Sequence, residues 1–265
     1  MYQKLSLFLM LNITLISHTN CYMKLIKLDA IDSTNDFLKK AARQETLENF
    51  TVVTAQNQTK GKGQMGAIWN SESGKNLIMS FLVRFTFESI EAIFLLNAAV
   101  ALAVAETLQE LSIPNISIKW PNDILSDSKK VCGILIENSF KNGVEIESII
   151  GIGINVNQQS FENLPKASSL ARITQKEYDV DALRDRVLFH FQKHYVKIVS
   201  SNSAYIWENY HALLFKINVP MPFEDAFQQR FMGIIKGVST DGTLQVLLEN
   251  DSIASFGIKE IQLLY

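Results

Sequence analysis

Several short stretches combine residue types that can hold an anion or a polar ring. Gly61-Lys62-Gly63-Gln64-Met65-Gly66, preceded by Gln58, Thr59 and Lys60, offers backbone N–H groups and two lysines, a combination suited to a phosphate. It contains G-x-G-x-x-G, but that pattern marks a dinucleotide site only where a helix opens at the glycines. Trp69 and Asn70-Ser71-Glu72-Ser73-Gly74 carry no helical periodicity, and no GK[ST] closes a phosphate loop. The loop reads equally as a connector between strands. Lys119-Trp120-Pro121-Asn122-Asp123 ends a strand in a turn, with side chains that hydrogen-bond nearby backbone. Lys130 precedes the apolar run Val131-Cys132-Gly133-Ile134-Leu135-Ile136 and belongs at the rim of a sheet or on a solvated surface. Gly151-Ile152-Gly153-Ile154-Asn155 removes two side chains from one strand face, which marks a bulge or the close approach of a ligand or another backbone. Ser33-Thr34-Asn35-Asp36 fits a capping box, and its hydroxyl and amide groups also suit a small polar head group. His190 and His194 lie four apart without an HExxH glutamate, so they read as surface or partly buried histidines, and no metal set from protein side chains is expected. No GxSxG elbow is present and Cys132 has no recognisable partner, so nucleophilic catalysis is unsupported.

These residues need a scaffold, and the composition supplies one. With 25 Lys and Arg against 27 Asp and Glu, the net charge is −2 and there is no electrostatic footprint for duplex nucleic acid. At 47% apolar and 20% charged, the chain is not a disordered one. Cys21 and Cys132 are too few for a disulfide framework and lack zinc spacing, which fits a reducing compartment. The pattern predicts strands at 24–28, 51–55, 77–84, 116–120, 131–137 and 145–156, the last two joined by a hairpin around Lys141-Asn142-Gly143. It predicts a helix after Asp36, another over 91–111, and a third carrying Val180, Leu183, Val187, Leu188, Phe191, Tyr195, Ile198 and Val199. The uncharged stretch 92–105 is too short for a membrane span, so that helix is expected in the core. Short β runs at 231–238, 244–249 and 253–258 predict a small C-terminal β-barrel. The fold class is α+β, a mixed or antiparallel sheet covered by helices. At the N-terminus, Lys4 and the apolar run 5–16 imitate a secretory signal without a small-x-small cleavage site. The expectation is that translation starts at Met23 and that residues 1–22 are upstream sequence. Peptides from 1–22 in a mass spectrum of the native protein would overturn it.

Taken in order, Asp32-Ser33-Thr34-Asn35, Gln58 before the glycine loop, KWPND at 119–123, Lys130-Val131-Cys132-Gly133-Ile134-Leu135 and GIGIN at 151–155 resemble the biotin protein ligases. The resemblance runs over residues 24–265. It implies a catalytic domain at 23–212 of the biotin/lipoate ligase type and the small β-domain at 213–265. It implies that biotin and ATP, with Mg, give biotinyl-5′-AMP and pyrophosphate, after which a lysine of a biotin carboxyl carrier protein takes the biotinyl group. By motif match, Lys130 is the catalytic cation. Ser33, Thr34, Asn35, Gln58, Lys62, Gly63, Gln64, Lys130, Gly133, Gly151 and Gly153 are matched to biotin, the strand glycines leaving room for its rings. Lys62, Gln64, Trp69, Lys119, Asn122, Asp123, Lys130 and Asn155 are matched to the adenylate.

The loop departs from the family's GRGRRG-type segment, with Lys62, Gln64 and Met65 where arginines are usual, and lysine lacks the bidentate fork of arginine. Residues 1–22 are too short for the winged helix-turn-helix of the family's repressors, so the reading is a monofunctional, cytoplasmic ligase that does not bind nucleic acid or membrane, with a homodimer through the sheet as a further implication. The rival readings are a lipoate or octanoyl transferase of related fold, against which the loop and KWPND stand, and a non-catalytic biotin or adenylate sensor.

Overall fold

The computed structural model describes residues 12–18, 21–86, 91–141, 145–162, 164–200 and 202–265. In chain order the first strands are β1 (Asn12–His18), β2 (Cys21–Ile31), β3 (Val52–Gln58), β4 (Leu77–Thr86), β5 (Ile116–Lys119), β6 (Asp123–Ser126), β7 (Lys129–Lys141) and β8 (Glu145–Ile154). They form one sheet in the order β1-β2-β3-β4-β8-β7-β6-β5. β2 and β3 are parallel, which the crossover helix α1 (Thr34–Gln44) permits, and the other neighbours are antiparallel. The sheet is therefore mixed, as expected. β1 is an edge strand that the sequence pattern does not anticipate; it pairs with β2 from Asn12↔Lys27 to His18↔Cys21. Residues 1–11 of the signal-like stretch lie outside the described residues, as does the hairpin turn at 142–144, whose flanking pair is Lys141↔Glu145.

β4 sits mid-sheet with both faces covered, which explains its nearly continuous apolar run. Met79, Phe81 and Val83 pack in one cluster with α2 (Glu91–Glu110) and α4 (Val180–Val199). Leu82 joins Leu38 of α1, Val53 and Ile149 in a smaller cluster on the other face. Leu38 is fully buried there, which stabilises the start of the crossover by about 1.5–3 kcal/mol. Ile93–Glu110 is long and apolar enough to cross a membrane by length and composition; here its alanine-rich stretch packs against the sheet, α4 and α5 (Ala204–Ala212). The short helix α3 (Leu170–Thr174) follows β8.

The C-terminal unit comprises β9 (Pro220–Asp225), β10 (Arg230–Val238), β11 (Leu244–Leu248), β12 (Ile253–Phe256) and β13 (Ile261–Leu263), ordered β12-β11-β10-β9-β13. It is an antiparallel sheet and not the closed barrel that the short strands suggest. β12 and β13 stand at opposite edges and do not pair among the described residues, because strand length and spacing predict strands but not closure. Phe223, Ile235 and Val246 belong to the same hydrophobic cluster as α2. Trp120 Nε1 donates to Gly242 O at 2.9 Å across the junction. Gly242 has φ +92°, and a Cβ there would meet Phe94 at 2.3 Å, so glycine is required.

His190 and His194 prove to be buried, at 3% and 1% exposure, facing α2. His190 Nδ1 and His194 Nε2 both lie 2.9 Å from Glu106 Oε2, and His190 Nε2 is 3.0 Å from Glu110. These carboxylates make burial of the imidazoles tolerable, and they are invisible to helical spacing on α4 alone. Burial pushes the Glu106 carboxyl up, but the His194 hydrogen bond and the charges of both imidazoles outweigh it and hold the group below its usual 4.5. A depressed carboxylate adds stability that is present above the unfolded value and lost as pH falls through the lower folded value. Glu106→Ala, which takes the partner from His194 Nε2 and from His190 Nδ1 and leaves His190 only Glu110, is expected to cost about 1–3 kcal/mol near pH 7. The difference from wild type should shrink below about pH 4, as read by thermal melts.

Candidate active site

Strand alternation builds the floor. Ser80, Gly151 and Leu135 lie directly opposite one another across β4, β8 and β7, as do Ile78, Gly153 and Gly133, so each trio shares a face. Glu137, two residues beyond Leu135, extends the same face. Lys130 and Gly133 are three positions apart, an odd spacing that in a regular strand puts them on opposite faces. The β6–β7 register, Ile124↔Cys132 then Leu125↔Lys130, leaves Val131 as a bulge. That extra residue returns Lys130 to the side of Gly133, where its Nζ lies 3.4 Å from the place a Gly133 Cβ would take.

The space cleared by the glycines is filled by the protein itself, which differs from the expectation that it is left for a ligand's rings. A Cβ at Gly153 would meet Trp69 Cε2 at 2.6 Å, one at Gly133 would meet Trp69 Cζ3 at 3.0 Å, and one at Gly151 would meet Asn35 Oδ1 at 2.4 Å. The Trp69 indole thus lies on the sheet, and its buried Nε1 has no partner among the described residues. The glycine loop joins β3 to β4, as expected, and folds back on itself through Gly63 N to Ala67 O (2.7 Å) and Trp69 N to Gly61 O (2.9 Å). Lys60 pairs with Asp32 at 2.8 Å and Lys62 with Asp36 at 2.6 Å; these hydrogen bonds raise both ammonium groups above their ordinary values.

One end of the site is polar and neutral. Ser33 caps α1, its Oγ accepting from Asp36 N at 3.4 Å. Gln58 Oε1 accepts from Thr34 N at 2.8 Å, Ser80 Oγ lies 2.7 Å from Thr34 Oγ1 and 2.6 Å from Asn35 Oδ1, and Asn35 Nδ2 donates to Glu137 Oε2 at 2.8 Å. The other end is charged. Lys130 Nζ is 2.6 Å from Asp123 Oδ1 and 5.7 Å from the centre of the Trp69 ring. Asn122 clamps the KWPND turn to β7 through Nδ2 to Ile134 O (2.7 Å) and its own carbonyl to Ile134 N (3.0 Å), which holds Asp123 in place.

A cavity of about 320 Å³ runs between the two ends. Its wall includes Ser33, Thr34, Asn35, Gln58, Lys62, Gly63, Gln64, Trp69, Asn122, Asp123, Lys130, Gly133, Gly151 and Gly153. Of the predicted site residues, Lys119 and Asn155 stand outside it. Lys119 lies behind Asp123, 3.9 Å from Oδ2, and burial pushes its ammonium below the ordinary lysine value, with Lys130 and Lys166 adding to the effect against Asp123. Asn155 Nδ2 donates to Ser168 O at 3.1 Å in a buried position that ties the end of β8 to the segment before α3. Sequence reasoning missed Ser80 and Glu137, and also Ile258 and Lys259, which the C-terminal sheet contributes to the wall. Ser80 was detectable as a lone hydroxyl in an apolar strand, and Glu137 as a carboxylate in phase with Gly133.

The model of the Biotin/lipoate A/B protein ligase family matches residues 28–155, which contain every pocket residue named here except the two from the C-terminal sheet. The chain is 33% identical over 245 residues to the bifunctional ligase/repressor BirA of Bacillus spizizenii, covering 89% of this chain and 71% of that protein. It is 28% identical to the biotin–[acetyl-CoA-carboxylase] ligase of Mycobacterium tuberculosis over 80% of this chain and 79% of that one. The biotin protein ligase from Aquifex aeolicus, solved in complex with biotin and ATP, superposes with a TM-score of 0.74 at 29% identity, over 90% of this chain and 97% of its own. A likeness of that extent, spanning the whole stretch that builds the pocket, makes this chain a member of the biotin/lipoate A/B protein ligase family, on its biotin protein ligase branch.

Proposed function

We infer that the chain is an ATP-dependent biotin ligase and that the cavity described above is where it acts. Biotin is activated as biotinyl-5′-AMP: its carboxylate attacks the α-phosphorus of ATP, a P–O bond forms and pyrophosphate leaves. A lysine amine of a biotin carboxyl carrier protein then attacks the acyl carbon, AMP leaves, and the amine gives up a proton. The observation that carries the site assignment is the polarity of one cavity, with a neutral hydrogen-bonding cradle at Thr34 and Gln58, an indole between, and a paired ammonium at Lys130. That sequence of surfaces suits an acid with a polar ring at one end and a carboxylate at the other.

Each residue then has a task. Lys130, aimed by Asp123, offsets repulsion between carboxylate and α-phosphate. The loop 61–69 and Trp69 cover a mixed anhydride that water would hydrolyse. MgATP enters as one substrate, and Asp123, the single carboxylate among the described wall residues, suits an ion held mainly by phosphates. Lys119 and Asn155 act from behind the wall by holding Asp123 and the end of β8. The proposal extends to a cytoplasmic setting and to a homodimer through the sheet, supported by the edge of β7 beyond Gly133, where β6 no longer pairs with it.

The test is transfer of biotin, with MgATP, to a purified biotin carboxyl carrier domain, read as a mass increase on its target lysine with lipoate as the competing acid. Biotin-specific labelling is expected. Labelling by lipoate at an equal rate would overturn the biotin reading, and adenylate formation without any transfer to the carrier would point to a sensor.

A further inference from the structure

The lysines of the cavity wall are Lys62, Lys130 and Lys259, and two of them are already committed. Lys62 lies 2.6 Å from Asp36 and Lys130 2.6 Å from Asp123, whereas Lys259 enters no ion pair among the described residues. Its chain neighbour Glu260 is used within the turn itself: Glu260 Oε2 accepts from Gly257 N at 2.6 Å, and Glu260 N donates to Gly257 O at 3.2 Å. These bonds close the turn between β12 and β13, and Ala226 N donates to Glu260 O at 3.1 Å, which ties it to the turn between β9 and β10. Lys259 sits in that braced turn at φ +72°, a backbone state that suits glycine or asparagine and strains a longer side chain. The turn thus keeps a charge where backbone comfort alone would place a smaller residue.

Lys259 also borders a second cavity, of about 460 Å³, between the KWPND turn and the C-terminal sheet, and with Ile258 it belongs to both walls. The two carboxylates of that second wall are occupied: Glu224 Oε2 accepts from Arg230 Nε at 2.9 Å, and Asp225 Oδ1 accepts from Phe227 N and Gln229 N at 2.8 Å each. Lys259 is left as the unneutralised charge where the two cavities meet. ATP brings more negative charge than Lys130 alone can meet. The bond broken in the first step joins the α-phosphorus to the oxygen leading to the β-phosphate, so charge gathers on the departing pyrophosphate. The glycine loop carries no arginine, and its lysines Lys60 and Lys62 are held by Asp32 and Asp36. We propose that Lys259 binds the β- and γ-phosphates of ATP at this junction and stabilises pyrophosphate as it leaves, a charge that the C-terminal sheet supplies in place of the loop. This rests on the ATP-dependent ligase reading and adds a residue to it. It makes the C-terminal sheet part of the first half-reaction.

The experiment measures the two half-reactions of the full chain separately. Lys259→Asn, whose side chain suits φ +72° and so spares the turn, is expected to raise the KM for MgATP and the inhibition constant of pyrophosphate by about tenfold each, the loss of one charge-assisted contact. The KM for biotin should stay as it is. Transfer from preformed biotinyl-5′-AMP to the carrier domain should keep its wild-type rate, because no pyrophosphate takes part in it. Lys259→Arg, which keeps the charge, should hold the KM for MgATP near that of wild type. Unchanged constants for both MgATP and pyrophosphate in Lys259→Asn would overturn the assignment. An equal loss in both half-reactions would overturn it too, and would mark the turn as a support of the fold or of the carrier. If wild type forms no adenylate from biotin and MgATP, it is the ligase reading that fails, and the assignment with it.

Discussion

Lys130→Ala is expected to abolish biotinyl-5′-AMP formation, lowering its single-turnover rate by about 10³-fold or more. Two anions must meet in the first step, and unit charges about 4 Å apart near a protein surface repel by about 4 kcal/mol. At about 1.4 kcal/mol per tenfold, losing the cation that offsets this costs roughly 10³ in rate. The variant also leaves Asp123 without its 2.6 Å partner, which adds a negative charge beside the reacting groups. Lys130→Arg keeps the charge, but a planar fork must fit between Asp123 and the Trp69 ring, so only partial activity should return. Rapid-quench measurement of pyrophosphate release separates these cases, and near-normal release by Lys130→Ala would refute the role. Burial of Leu38 and the α2 core is untouched by the change, so the melting temperature should move little.

Gly153→Ala is expected to weaken the enzyme for a different reason. The added methyl would stand 2.6 Å from Trp69 Cε2, closer than unbonded carbons tolerate. The indole cannot simply slide away, because its backbone N–H is held by Gly61 O and a Gly61 Cβ position already lies 2.2 Å from Trp69 O. Overpacking of this kind costs about 1–3 kcal/mol and shifts the ring that separates the two ends of the cavity. Biotin KM should rise by at least about tenfold, since about 1.4 kcal/mol of lost binding is enough for that. Gly66→Ala serves as a contrast: nothing lies within 4 Å of its added methyl, although φ +85° makes it a strained position. Initial-rate kinetics in biotin check both variants, and an unchanged KM for Gly153→Ala would show that Trp69 does not shape the biotin site.

The motifs legible along the chain were those whose chemistry is local. Ser33 caps a helix wherever it is placed, and the glycine loop must join two strands because no periodicity follows it. Lys130, Asp123 and the strand glycines do meet, yet the reason they meet was not legible. A single bulged residue at Val131 decides which face Lys130 takes, and Asp123 opens a strand where the sequence showed only a turn. Glu137 and Ser80 escaped because their meaning comes from cross-strand register: Ser80 sits opposite Gly151, and Glu137 opposite Ile149. The same holds for His190 and His194, whose partners Glu106 and Glu110 lie on another helix. Strand count at the C-terminus was partly read, but β9 and β13, which carry Pro220, Pro222 and a three-residue edge, gave too weak a pattern, and closure is a property of pairing that no strand states alone.

Among the three tryptophans, Trp69 is the one that lines the cavity. Trp120 is tied to Gly242 O, and Trp207 stacks on Phe94 with ring centres 6.0 Å apart. Replacing those two with phenylalanine would leave a chain with a single tryptophan, excitable apart from the tyrosines at long wavelength, whose indole lies beside the Lys130 ammonium and whose buried N–H has no partner among the described residues. The protein thereby carries its own optical gauge: occupancy of the cavity becomes a change in the colour and yield of light from one ring, readable in milliseconds without a label.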